Sequence, residues 1–266
     1  MSGFSVSWLD LREPADHAAR DPELVSTLVS YLQGDTDIAP IIVDLGAGTG
    51  STLRALTAMG AQRCVWRLVD HDPALLNEAL RRHGQAEIVE DYQADLRDVA
   101  ALPLGGAALL SASALFDLIS ADLVDSLVAR ARQQSTVVYA ALNYDGRTHW
   151  TPAHPLDAAV LDAFNRDQHR DKGLGPALGP DASMTMKAAL EKAGYTVLMR
   201  DSPWQLGPEQ QALVSELIRG IRAAVTHGYG LSDAALADWQ TFRLSHAGSG
   251  HCLVGHIDLL AWPPGV

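Results

Sequence analysis

The sequence predicts an α/β fold, doubly wound around a mostly parallel sheet. Three observations carry this. Short apolar, β-branched runs alternate with helical patterns between residues 40 and 200. A glycine-rich turn, Gly46-Ala47-Gly48-Thr49-Gly50, joins the first such run to the helix behind it. The next run ends on an acid, Asp70.

Residues 16–32 have helical spacing, with Leu24, Leu28 and Leu32 on one side and Gly34 as a stop signal. Residues 40–45 read as a buried strand and 52–59 as a helix ended by Gly60. Residues 65–70 are a second strand. Residues 73–83 are helical, with Pro73 in the first turn and Gly84 past the end. Residues 87–92, 107–111 and 136–142 read as the next three strands, with a helix over 115–130. A helix over 184–193 stops at Gly194 and leads into a strand over 195–199. Helical stretches over 208–227 and 232–244 precede a last strand, 251–262.

Two stretches, 143–183 and 203–250, are longer than the usual connections of about 2–6 residues. Both follow strand ends on the side where such sheets bind ligands, so they are expected to be lids that carry substrate contacts. Residues 1–36 are expected to form an N-terminal helical cap, and residues 1–266 one domain.

Of 266 residues, 47% are hydrophobic and 20% charged, enough to bury a full core. Lys and Arg number 20 against 32 Asp and Glu, a net charge of −12. An acidic chain without Lys/Arg clusters argues against nucleic-acid and anionic-membrane partners. Two cysteines, Cys64 and Cys252, make no disulfide framework and no zinc site. No signal-peptide pattern opens the chain, and the longest uncharged run, 99–116, is broken by Pro103 and two glycines. The expected location is the cytoplasm.

The sharpest chemical signal is Val43-Asp44-Leu45-Gly46-Ala47-Gly48-Thr49-Gly50. Glycines permit positive φ and let a ligand approach the backbone, and the helix behind them offers free N–H groups. A carboxylate at Asp70 can accept both hydroxyls of an adenosine ribose. The dinucleotide fingerprint would need a third glycine at position 51, which is Ser51. A pyrophosphate would also be repelled by Asp44. A ligand with an ammonium group and no phosphate would not be; S-adenosylmethionine is such a ligand.

VDLGAGTG (43–50), LVDHDPALL (68–76) and YQADLRD (92–98), in that order and spacing, resemble motifs I to III of the class I S-adenosylmethionine-dependent methyltransferases. The resemblance covers about residues 38–145. It implies a seven-stranded sheet with a reversed last strand. It implies Asp44, Gly46, Ala47, Gly48 and Gly50 around the methionine part of S-adenosylmethionine, and Asp70 with His71 at the ribose. Asp95 and Leu96 would flank adenine. S-adenosylhomocysteine would be the product. An N-terminal helix commonly covers this site in the family, so Arg12 or Arg20 is expected to pair with the methionyl carboxylate, with Arg20 preferred.

The fourth motif position reads Leu110 to Asp117, with Ser111 at a strand end as a further contact. It is not the N/D-P-P-Y/F loop of amino-methylating enzymes, which leaves O-methylation of a small molecule favoured. Asn143, Tyr144, Trp150 and Phe164 are the substrate-contact candidates, since aromatic and amide groups suit a small-molecule pocket. His149, His154 and His169 are candidate general bases. His251 and His256, five apart on a strand, face opposite ways and should share no metal; none is expected. Two alternatives stay open: an NAD-type oxidoreductase, and a non-catalytic binding or scaffold protein on the same fold.

Overall fold

The computed structural model describes residues 4–34, 38–83, 88–226 and 228–265. Gly84, Glu87 and His227, which bound expected elements, lie outside the described residues.

The N-terminal pattern resolves into two helices, α1 (Val6–Ala19) and α2 (Pro22–Leu32), rather than one. Asp21 separates them: its side chain caps α2 through the Leu24 N–H, and Pro22 sits at the first helical position, where a missing N–H costs nothing. The central elements follow in order: β1 (Ile41–Leu45), α3 (Ser51–Ala58), β2 (Val65–Asp70), α4 (Pro73–His83), β3 (Ile88–Gln93), β4 (Ala107–Ser113), α5 (Ala121–Gln133) and β5 (Val137–Thr151). Then come α6 (Asp157–Gln168), α7 (Ala182–Lys192), β6 (Thr196–Asp201), β7 (Trp204–Leu206), α8 (Gln211–Val225), α9 (Asp233–Ser245) and β8 (His251–Trp262).

The sheet order is β3-β2-β1-β4-β5-β8-β6, and the short β7 pairs β8 off this path. The first five are parallel, and β8 runs antiparallel to β5, β6 and β7. This is the expected doubly wound sheet with a reversed last strand, with one strand more than the seven expected.

The larger departure is β5. It continues through Asn143 to Thr151, where the sequence suggested a lid loop. The long β8 supplies the missing hydrogen-bond partners, pairing Tyr144 with His256 and Thr151 with His251. The pairing slips between Ala140 and Asn143, where Leu142 takes a positive φ of 57°. Asn143 mends that bulge: its Nδ2 donates to the carbonyls of Ala140 and Ile257 at 3.1 and 3.0 Å.

The apolar residues form three clusters. Two cover the faces of the sheet. One runs from Leu110 and Phe116 to α5 and Met186; the other from Trp66 and Tyr139 to α2. The third lies around the extended β5–β8–β7 ribbon, where Trp204, Val254 and Tyr144 pack against α6, α8 and α9. The inserted helices therefore have a core of their own. Asp258 joins the sheet to the cap. It is fully buried and accepts from Leu142 N at 2.8 Å, Tyr139 Oη at 3.1 Å and Asp21 N at 3.1 Å.

Candidate functional site

The turn after β1 has all three glycines in the left-handed region, at φ 62° (Gly46), 54° (Gly48) and 82° (Gly50). A Cβ on Gly48 would come within 3.0 Å of Leu9, and one on Gly46 within 3.3 Å of Leu115. Leu9 and Leu115 line a cavity of ≈ 560 Å³ together with Gly46, Ala47 and Gly48. That is the size of a small-molecule site. Gly50 is set back from it, as the N-cap residue of α3, with its missing Cβ facing His83.

Asp70 ends β2 beneath the turn. Its Oδ2 accepts from Gly48 N at 2.9 Å and its Oδ1 from Asp72 N at 3.0 Å, with His71 Nδ1 at 3.2 Å. Asp70 and His71 both line the cavity, as do Asp95 and Leu96 from the loop after β3. Arg97 grips Asp95 through Nε and Nη2, which with its own N–H holds that carboxyl down at about 2.

Asp44 and Ser111 lie behind this wall. Ser111 Oγ donates to Asp44 Oδ1 at 2.6 Å, and the Thr52 hydroxyl also faces the carboxyl. Burial raises the Asp44 carboxyl to about 6. A carboxyl raised in the folded state favours folding while protonated. That benefit is lost as pH climbs from about 4 to 6 and is worth about 3 kcal/mol. An Asp44→Asn variant is therefore expected to melt several degrees above the wild type at pH 7.5 and close to it at pH 4. Thermal unfolding at the two pH values measures this.

The N-terminal cap reaches the cavity through Leu9, Arg12 and Asp16, one face of α1, and through Phe4 ahead of it. Arg12 Nε donates to Asp16 Oδ2 at 2.7 Å, its guanidinium lies 5.6 Å from the Trp204 ring, and Trp204 Nε1 donates to Asp16 Oδ1. Arg20 is turned away instead. It is buried, donating to Tyr139 Oη at 3.3 Å and Ser113 Oγ at 3.1 Å, and only Ser113 of that group lines the cavity.

The expected substrate contacts gather elsewhere. Tyr144 Oη donates to Asn165 Oδ1 at 2.8 Å, and its ring meets Phe164 edge-on at 5.8 Å. Trp150 packs on Trp239 under Arg243. With Asn143 at its bulge, these four brace the ribbon and its helices, and none lines the cavity. His149 is exposed on β5. His154 stacks on Phe242 with Nε2 3.4 Å from Asp238, and His169 is exposed, 3.9 Å from Asp181. None of the three histidines reaches the cavity. His256 is buried beside Trp204, and burial lowers it to about 3, so it is neutral at physiological pH.

Sequence reasoning singled out neither Phe4 and Leu9 nor Leu118 and Leu174. The spacing of Leu9, Arg12 and Asp16 along one helical face was the available signal for the cap.

The sheet order with its reversed strand, and a cavity past the C-terminal ends of β1, β2 and β4, define the class I methyltransferase fold. Solved structures agree. The chain is similar to the cyclopropane synthase MmaA2 from Mycobacterium tuberculosis, at 12% identity and TM-score 0.54, over 97% of this chain and 94% of that one. It is also similar to a cyclopropane-fatty-acyl-phospholipid synthase-like protein from Lactobacillus casei, at 12% identity and TM-score 0.55, over 98% and 95%. No family model and no curated protein matches the sequence.

Proposed function

We propose that this chain is an S-adenosylmethionine-dependent methyltransferase acting on an oxygen of a small molecule. One observation carries the reading: a single cavity joins the left-handed glycine turn, the Asp70 carboxylate and the Asp95-Leu96 corner to the capping helix. S-adenosylmethionine, when bound, supplies a methyl group already activated by a sulfonium. Gly46 and Gly48 leave room for its methionine part where a Cβ would crowd Leu115 and Leu9, with Ala47 between them on the cavity wall. Gly50 holds the turn and the start of α3, and the Asp44–Ser111 pair supports the turn from behind. Asp70, anchored by two backbone N–H groups, keeps lone pairs for the ribose hydroxyls. Leu96 and Leu75 offer apolar surface to adenine beside Asp95. Arg12, fixed by Asp16 and Trp204, takes over the carboxylate-pairing role first given to Arg20.

The rest of the catalysis is placement. Leu9, Leu115 and Leu118 exclude water, and holding the two reactants in line is worth about 7–11 kcal/mol. The N-terminal helices serve as the cap of one domain, and of the two insertions the one over 143–183 closes the acceptor side through Lys172, Gly173 and Leu174, whereas no described residue of 203–250 lines the cavity. The setting proposed is cytoplasmic, with a small molecule as partner rather than nucleic acid or membrane. No helix among the described residues is long and apolar enough to cross a membrane.

The test is methyl-labelled S-adenosylmethionine offered with panels of phenols, carboxylic acids and amines. Acceptor-dependent release of S-adenosylhomocysteine with oxygen nucleophiles is expected. Binding of the donor without transfer to any panel member would place the chain among binding proteins on this fold.

A further inference from the structure

The charged side chains lining the cavity are nearly all paired. Arg12 pairs with Asp16, Arg97 with Asp95, and His71 lies against Asp70. Lys172 is the exception. Among the described residues no carboxylate lies within ion-pair distance of its Nζ. Its one hydrogen bond runs to the Gln168 carboxamide, at 2.6 Å.

Its position is built. Lys172 lies on the segment between α6 and α7, which docks onto the loop after β4. Leu178 N donates to Ile119 O at 2.9 Å, and a Cβ on Gly175 would come within 2.9 Å of Ser120. Leu115, Leu118 and Leu174 supply apolar wall to the same cavity. Asp117, in that loop, is 9% exposed and its Oδ1 has no hydrogen-bond partner among the described residues. Burial pushes Lys172 toward the neutral amine, while the more distant Asp117 and Asp167 favour the ammonium.

An ammonium half withdrawn from water without a counter-ion is costly unless a ligand supplies one. In a chain of net charge −12, such a cation in the lining of this cavity marks a place for an anion. We propose that Lys172 recognises the methyl acceptor, pairing with an acidic oxygen, a carboxylate or an acidic phenol held as its oxyanion, against the Leu115, Leu118 and Leu174 wall. This rests on the methyl-transfer reading above. Neutral alcohols and amines lack the charge and are discriminated against.

The test is equilibrium binding of benzoate and of its neutral counterpart benzamide, with S-adenosylhomocysteine saturating. Benzoate is expected to bind at least about tenfold more tightly than benzamide. Lys172→Met removes that preference and leaves the S-adenosylhomocysteine affinity within about twofold; Lys172→Arg, which keeps the charge, retains part of it. Melting temperatures no lower than the wild type's, with that of Lys172→Met at or above it, confirm that each is folded. Equal binding of the two probes, or no benzoate binding, with S-adenosylhomocysteine bound, overturns the proposal alone. A Lys172→Met loss that falls on S-adenosylhomocysteine assigns the lysine to the donor's carboxylate and overturns it too. No S-adenosylhomocysteine binding by the wild type overturns the methyl-transfer reading and this proposal with it.

Discussion

Replacing Asp258 by Ala is expected to cost about 3–5 kcal/mol of stability, the range for removing one partner from a buried charged network. Its carboxylate accepts from Leu142 N, Tyr139 Oη and Asp21 N, and is fully buried. Arg20, also buried, donates to Tyr139 within the same group, so the substitution leaves a guanidinium and three donors facing an apolar gap. Asp258 also joins β8 to the bulge in β5 and to the N-terminus of α2. The loss should therefore loosen the cap as well as the sheet. For a chain of this size the melting temperature should fall on the order of 10 °C. Asp258→Asn, which retains an acceptor oxygen, is expected to lose less. Denaturant unfolding of the three proteins measures it. An Asp258→Ala variant as stable as the wild type would refute the network.

Asp70→Ala is expected to have the largest effect on ligand binding. The carboxylate holds the Gly48 and Asp72 N–H groups and faces the cavity. Its loss frees the turn and removes the acceptor proposed for two ribose hydroxyls. Hydrogen bonds to a charged group are worth about 1.5–3 kcal/mol each, so affinity for S-adenosylhomocysteine should fall by about 10²–10⁴-fold. Titration calorimetry reads this directly. A fall of less than about tenfold would remove Asp70 from the donor site.

The turn and its acid were legible because their signals are local: the glycines, the strand before them and the helix after them lie within a few residues. The central parallel strands β1 and β4 and the first half of β5 were legible for the same reason, being short, mostly apolar runs. Residues 143–151 were not. They contain Asn143, Asp145 and Gly146, which read as loop, and they are strand because β8, more than a hundred residues later, pairs with them. The choice between Arg12 and Arg20 was equally non-local. Arg20 lies four residues beyond Asp16 at the end of α1, and its guanidinium is held by Tyr139 Oη and Ser113 Oγ, partners from distant strands that local spacing does not announce. The aromatic and histidine-rich stretch looked like a pocket because those residue types line pockets. Here Tyr144, Trp150 and Phe164 belong to a third core instead, whose other side is the apolar face of α8, Leu213, Val214, Ile218, Ile221 and Val225. Lys172 stood in that same stretch, and only the docking of its segment onto the loop after β4 brought it to the cavity.

The central claim is that the cavity under the glycine turn takes an adenosyl sulfonium donor. Titrating S-adenosylmethionine, S-adenosylhomocysteine and NAD separately into the same preparation tests it most directly. The expected result is saturable one-site binding of the first two and none of NAD. At about 100 times its Kd, either ligand should add roughly 2.7 kcal/mol and raise the melting temperature on the order of 5–10 °C. Saturable binding of NAD, or silence from both sulfur compounds, would contradict the account.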